Sequence, residues 1–522
     1  MRAASAMRRS LLSCEILRYL KRGGSMQRRE LLGTSAAAIG LIAVAPIARC
    51  APRLTELTSL SATAAVRGMR GGDFTAESYA AALIARATQS AALNAFRLLP
   101  ADSVLEAART ADKRRAAGQP LGRLHGLPIP VKDSINTAAL PTTNGTRALQ
   151  NFRPKSNAGV LRPLFAAGAI LMGKTNLHEL SCGWTSNNSF SGPVLNPYDL
   201  TRTPGGSSGG SGAAVAARCA PLAIGEDTYG SIRVPAAFCG LAGLRPTYGR
   251  YADDGLMPLS SRKFDQVGPL ARSVQDLVLF DSVESGSETP LAARPLRGAR
   301  IGISPQAQCA GIDAECGRIF AAALERLKSG GASIVHAELP PIVPTASDVE
   351  RVILGYELLN GLREFLRSEG TGVSLEELVS QASPNLAPLL AASREPGPWS
   401  EYGKALQQMQ QIRAAQREHF RAHRLDALVF PPTLMPAFPQ GDSNTVSIDG
   451  RSVDLFTAIG RNVAPGSLGG LSCLVLPAGM TRSGLPMGIE FDAPPGEDRQ
   501  LLALGLSLEK ALGPVPAPSA HG

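Results

Sequence analysis

The sequence predicts an α/β fold in a single domain covering residues 51–513, and three observations predict it. Strand-length apolar runs at residues 127–131, 169–172, 299–303 and 425–430 alternate with stretches whose apolar residues recur at three- and four-residue spacing, the period of a helix packed on one face. A loop dense in glycine and serine, Gly205-Gly206-Ser207-Ser208-Gly209-Gly210-Ser211-Gly212, runs into an alanine-rich helix at residues 213–217. The 522 residues are 44% hydrophobic and 18% charged, the balance of a chain that buries a substantial core and not of a disordered one.

Ahead of the domain, residues 1–50 read as an export leader. Arg28-Arg29-Glu30-Leu31-Leu32 is a twin-arginine pattern, and an apolar, alanine-rich stretch continues to residue 48. A charged segment before an apolar one marks export, and paired arginines point to the route that carries folded proteins. Gly33, Gly40 and Pro46 make the stretch a poor membrane span, so a cleaved signal is expected, with Met26 as an alternative true start. Nine Lys and Arg lie in this leader against Glu15 and Glu30, so +7 of the formal +10 belongs to it. The remainder is close to charge balance, which removes the main support for a nucleic-acid partner. The expected location is periplasmic or secreted, and cytoplasmic if the leader is not functional. Contact with a membrane is expected only through the leader.

The eight cysteines form no CxxC pair and do not cluster with histidines, so no metal site is expected. Cys309 and Cys316 are the one closely spaced pair. A protein of this size needs no staples, however, and buried free thiols are the reading.

Residues 54–118 are helical in pattern, through Ala80, Leu83, Ile84 and Ala87 and again through Val104, Ala107 and Ala111. Thr75 with Ser78 supplies a cap. At Gly126 the texture changes. Leu127-Pro128-Ile129-Pro130-Val131 is a buried strand that ends in Lys132-Asp133. Burying an ammonium is costly unless it is paired or loses its proton. Two readings follow: a lysine paired with Asp133 at a strand edge, and a neutral lysine acting as general base.

Residues 157–167 read as a helix containing Pro163, followed by a strand, Ala169-Ile170-Leu171-Met172, and then Gly173-Lys174-Thr175-Asn176. Gly168 to Thr175 satisfies the phosphate-loop pattern, but its four variable positions favour a strand where a phosphate cradle needs an open loop. Gly205 to Gly209 satisfies the nucleophile elbow G-x-S-x-G. That elbow needs an apolar strand before it, and residues 196–204 are polar and twice broken by proline. After Ser207 only His336, His419, His423 and His521 remain, and His419 with His423 reads as a solvated helix face.

Farther along, residues 316–329 and 347–369 are helices, the second with Ser347 and Glu350 as a capping box and Gly370 as its stop. Tyr356, Phe365, Trp399 and Tyr402 are read as core packing. Residues 474–488 form a hairpin, the last helix begins near Asp498, and residues 514–522 are a frayed, disordered tail.

With both conventional motifs set aside, Lys132, Ser207 and Ser231 are the coherent set, since a serine hydroxyl needs a base. At these residues the sequence resembles the amidase signature family. The resemblance is carried by residues 126–132, 173–176, 192–197 and the whole of 204–246, above all by Gly205 to Gly210 and by Gly230-Ser231-Ile232-Arg233-Val234-Pro235-Ala236. It continues in Pro431-Pro432, Asn462, Pro465-Gly466, residues 476–479 and residues 484–488. Residues 245–255 and 264–269 resemble the branch that contains mandelamide and indoleacetamide hydrolases.

The resemblance implies a large twisted mixed β-sheet covered by helices on both faces, and a Ser–cisSer–Lys triad. Ser231 would be the nucleophile. Ser207, after a cis peptide from Gly206, would relay the proton, and Lys132 would be the base. The backbone N–H groups of Thr228, Tyr229, Gly230 and Ser231 would form the oxyanion hole. Asp227 and Arg233 would support the loop by charge-assisted hydrogen bonds. Tyr229 departs from the family pattern, in which a small residue, often glycine, is usual; its ring would narrow the acyl pocket.

The expected activity is hydrolysis of the C–N bond of a small, aryl-substituted carboxamide through an acyl-enzyme, with no metal or organic cofactor. Cleavage of aryl acylamides, carbamates or esters on the same triad is an alternative, and a non-catalytic binding protein on the same fold is another. The glutaminase-like subunit of a tRNA-dependent amidotransferase also belongs to the family, and the leader argues against that role. A homodimer is compatible with this reading.

Overall fold

The structure, a computed structural model, describes residues 54–260, 264–395 and 397–519. The leader with its twin arginines, Cys14, Cys50 and His521 lie outside the described residues. In chain order the first strands of the main sheet are β1 (Phe96–Leu98), β2 (Pro128–Lys132), β3 (Ile170–Thr175), β4 (Leu222–Asp227), β5 (Ala242–Arg245) and β6 (Gln266–Ala271). They are followed by β7 (Arg300–Ile303), β8 (Ser333–His336) and β9 (Ala427–Phe430). A separate two-stranded ribbon, β10 (Thr445–Ile448) and β11 (Arg451–Asp454), precedes β12 (Ser472–Met480) and β13 (Pro486–Ala493).

Among the described residues the main sheet has eleven strands in the order β1-β3-β2-β4-β6-β5-β12-β13-β9-β7-β8. β2 runs parallel to β3 and β4, and β7 runs parallel to β8 and β9. The other pairs are antiparallel, so the sheet is mixed, as expected.

Every residue of β2, β4, β5, β6, β9 and β13 is buried, which requires cover on both faces. Successive strand residues point to opposite sides. Leu222, Ile224, Leu474 and Leu476 therefore enter one core, and Ala223 and Val475 enter another. The first core packs under helices that include Ala76–Gln89, Val274–Glu284 and Asp498–Leu512. The second packs under Arg233–Phe238, Ala346–Ser368 and Trp399–His423, and the functional residues lie on this side.

Several expectations hold in detail. Thr75 caps its helix by accepting the Ser78 N–H at 3.0 Å. Residues 170–175, including Gly173 and Lys174, are strand and not a phosphate cradle. The hairpin is β12 against β13. The described cysteines are free thiols, Cys309 and Cys316 among them.

Others are corrected. The segment read as wholly helical contains the edge strand β1, which pairs with β3. The capping box does not form: Ser347 hydrogen-bonds the Tyr229 hydroxyl, and Glu350 is fully buried with neither carboxyl oxygen hydrogen-bonded. The helix begins at Ala346, so Ser347 lies inside its first turn and not at the cap position. The chain after Leu512 does not fray at residue 514, because the Tyr198 hydroxyl donates to the Pro516 carbonyl at 2.9 Å. His419 is buried while His423 is exposed, so the pair is not a solvated face. Of the four aromatics read as core, Tyr356, Phe365 and Tyr402 are buried and Trp399 is 73% exposed.

Candidate active site

Lys132 ends β2, whose parallel register with β4 matches Val131 to Ile224 and brings Lys132 alongside the Gly225–Glu226 end of β4. Its Nζ donates to Ser207 Oγ at 2.7 Å and to the Glu226 carbonyl at 3.4 Å. Lys132 and Ser207 are both fully buried. Burial pushes the Lys132 ammonium below its ordinary value, against the attraction of Glu226, Asp227 and Asp265. The pairing with Asp133 does not form. Asp133 lies 3.5 Å from Lys174 Nζ and accepts from Thr143.

Ser207 stands in the glycine–serine loop, after a cis peptide bond from Gly206. The loop feeds the helix Gly209–Ala216. Gly210 N–H donates to the Asn176 carbonyl at 3.0 Å, and a Cβ at Gly210 would sit 2.3 Å from that oxygen, so a side chain cannot replace this glycine. The Ser208 N–H donates to the Ser231 carbonyl at 3.3 Å, which ties the two serine loops together at the backbone. Ser231 Oγ has no hydrogen-bond partner among the described residues and faces a cavity.

The Ser231 loop is held by Asp227. Its carboxylate accepts Gly230 N–H at 2.8 Å, Ile232 N–H at 3.0 Å, and Arg233 Nε and an Arg233 terminal nitrogen at 3.0 Å each. Arg245 Nε lies 3.5 Å away. Burial alone would raise the Asp227 carboxyl; Arg233, the hydrogen bonds and Arg245 outweigh it and hold the group well below the usual range. Arg233 reaches on to Glu490 at 2.8 Å and to the Val463 carbonyl at 2.8 Å.

One expectation changes here. The Gly230 N–H is already given to Asp227, so it is not free for an oxyanion, whereas the N–H groups of Thr228, Tyr229 and Ser231 have no partner among the described residues. Gly230 takes φ +90°, the left-handed turn that a side chain resists, and Tyr229 keeps ordinary backbone angles.

The cavity has a volume of about 520 Å³. Trp184, Tyr229 and Phe456 give it an aromatic wall, with the Tyr229 ring 5.3 Å from Trp184 at 73° and the Phe456 ring 4.8 Å from Trp184 at 83°. Trp184 Nε1 donates to the Tyr229 carbonyl at 2.7 Å and keeps that carbonyl occupied. Leu354 and Leu358 of the helix Ala346–Ser368 add aliphatic surface. Ser231 is the one member of the three-residue set that lines the cavity.

Three lining or adjoining residues carried no clear signal in the sequence. His178 lines the cavity, and burial brings its imidazole down to about 4, so it is neutral. Cys182 lines it too, with a thiol pushed up to about 12 by burial, so it is no thiolate. Glu226 is 1% exposed, with Oε2 3.5 Å from Lys132 Nζ. A glutamate ending the apolar run Leu222-Ala223-Ile224-Gly225 was its only signal.

A buried lysine on a serine hydroxyl, a second serine open to a cavity, and a mixed sheet behind them are the arrangement that a serine nucleophile served by a lysine would need in an α/β enzyme. The amidase family profile matches residues 79–502, and the chain belongs to the amidase family. It is 37% identical to an indoleacetamide hydrolase of Agrobacterium vitis over 463 residues, 88% of this chain and 98% of that one. It is 36% identical to a mandelamide hydrolase of Pseudomonas putida over 489 residues, 90% of this chain and 94% of that one. A solved amidase structure superposes with a TM-score of 0.79 at 31% identity, covering 87% of this chain and all of that one.

Proposed function

We propose that this amidase hydrolyses a small aryl-substituted carboxamide through an acyl-enzyme on Ser231. The observation that carries the reading is Lys132 Nζ on Ser207 Oγ at 2.7 Å, beside a serine that opens on the cavity. Ser231 Oγ attacks the carbonyl carbon and passes its proton to Ser207 Oγ. The Ser207 proton goes to the lone pair of Lys132 Nζ, which burial keeps available. The N–H groups of Thr228, Tyr229 and Ser231 hold the developing oxyanion. The C–N bond breaks as the proton returns by the same path to the leaving amine, and water then releases the acid.

The aromatic wall supports an aryl acyl group, and so do the names of the two relatives, hydrolases of indoleacetamide and of mandelamide. The twin-arginine leader supports a periplasmic or secreted enzyme. A homodimer is compatible with both, and sedimentation would decide it.

The test is a release assay for ammonia and amine over phenylacetamide, acetamide, glutamine, an aryl acylamide, a carbamate and phenyl acetate, together with a fluorophosphonate label. Preferred turnover of phenylacetamide and labelling at Ser231 are expected. Preference for the acylamide, carbamate or ester replaces the substrate class, and absence of both turnover and label leaves a binding protein.

A further inference from the structure

Outside the three-residue set, one ionisable side chain touches the lysine. Glu226 Oε2 lies 3.5 Å from Lys132 Nζ, both groups being buried, and Ser134 Oγ donates to the same oxygen at 2.5 Å. The second oxygen, Oε1, is buried with no hydrogen-bond partner. Such a carboxyl is expensive to keep unless its charge is used. Glu226 does not line the cavity, so substrate does not reach it.

We propose that Glu226 is a positioning residue for the reaction: its carboxylate is the counter-charge that stabilises the Lys132 ammonium formed when the amine takes the Ser207 proton. The step conserves charge. The O–H bond of Ser207 breaks, an N–H bond forms on Nζ, and Glu226 keeps its own protonation. Without a neighbouring anion, a fully buried amine is a weak base, because nothing offsets the cost of charging it. Glu226 restores that basicity from the side away from the cavity.

The other charged and ionisable groups around the pair are accounted for. Asp227 is bound to Arg233 and Arg245, and Asp265 accepts from Thr228, Ser260 and the Leu259 N–H. His178 is neutral and Cys182 is a thiol. Glu226 is thus the one carboxylate in contact with Nζ among the described residues. Burial, opposed by Lys132, pushes its carboxyl up to about 7, so the counter-charge is present above neutral pH and lost below it.

This proposal rests on Lys132 being the base, and the experiment separates the two. The pH profile of kcat/KM for phenylacetamide is measured on the wild type, Glu226→Gln, Glu226→Asp and Ser134→Ala. Removing the carboxylate lowers the proton affinity of Lys132. Glu226→Gln should therefore move the acid limb down by about 1–3 pH units, reduce kcat by about tenfold or more and leave KM unchanged. Glu226→Asp should restore much of the limb. Ser134→Ala loses the hydrogen bond that favours the charged Glu226 carboxyl, so it should raise the acid limb instead, and it decides the matter if Glu226→Gln does not fold. An acid limb that stays in place or rises in Glu226→Gln, or that stays in place or falls in Ser134→Ala, overturns the role of Glu226. A Lys132→Ala enzyme that keeps its rate overturns the base instead.

Discussion

Asp133 follows Lys132 in the chain, yet its carboxylate pairs with Lys174 at 3.5 Å while Lys132 turns to Ser207. Adjacent residues on an extended chain point to opposite sides of a sheet, so neighbours in sequence serve different environments. Lys174 Nζ also donates to the Ile135 carbonyl at 2.5 Å and to Thr142 Oγ1 at 2.9 Å, and burial brings it down to about 8. Two buried lysines thus stand side by side on parallel strands with different surroundings: one is enclosed by Asp133, Thr142 and the Ile135 carbonyl, and the other meets Ser207 and Glu226.

Asp133→Asn should therefore cost stability and leave the base alone. Breaking a buried pair on one side costs about 3–5 kcal/mol, so a clear fall in Tm is expected with no displacement of the acid limb of kcat/KM. A displaced limb would show that Asp133 communicates with Lys132.

Ser231→Ala should remove all but background turnover, a loss of at least about 10³-fold, with circular dichroism and Tm unchanged. Lys132→Ala should lose several orders of magnitude near neutral pH. A drop of merely about twofold would mean that another group supplies the base.

Tyr229 closes the cavity by contact with Trp184, and it hydrogen-bonds Ser347. Tyr229→Ala should widen the acyl pocket and raise kcat/KM for bulkier aryl amides relative to phenylacetamide. Loss of the buried ring should lower stability by about 3 kcal/mol. An unchanged preference across a series of acyl sizes would remove Tyr229 as the limiting wall.

Asp227 has a carboxyl held below its unfolded value, so its contribution to stability is complete above about pH 4 and is lost as pH falls through the lower folded value. Chemical denaturation at stepped pH should show the wild type losing stability over that acid range. Asp227→Asn should start lower, by about 3–5 kcal/mol, and lose less there. Parallel curves for the two proteins would refute the assignment.

Replacing Arg28 and Arg29 with Lys should hold the protein in the cytoplasm, as read by cell fractionation and immunoblotting. Unchanged export would place the targeting information elsewhere.

Much of the site was legible because its parts are short and local. Gly205 to Gly210 and Gly230 to Arg233 announce two tight turns, and a lysine at the end of an apolar strand announces a buried amine. Glu226, His178 and the Gly230–Asp227 hydrogen bond were not legible, since each depends on which strand lies beside which. The capping box failed because the helix begins at Ala346. Ser347 and Glu350 have the right spacing, but Ser347 lies inside the first turn, where it meets Tyr229.

The amino-acid order alone determined the strand and helix periods and the glycine turns, because those depend on neighbours within a few positions. Only the folded sheet decided that β2 lies against β4, so that Lys132 meets Glu226, and that Tyr229 meets Trp184 edge to face to shape the cavity. Contacts between residues far apart in the chain are chosen by which buried surfaces fit together, and no local pattern encodes that choice.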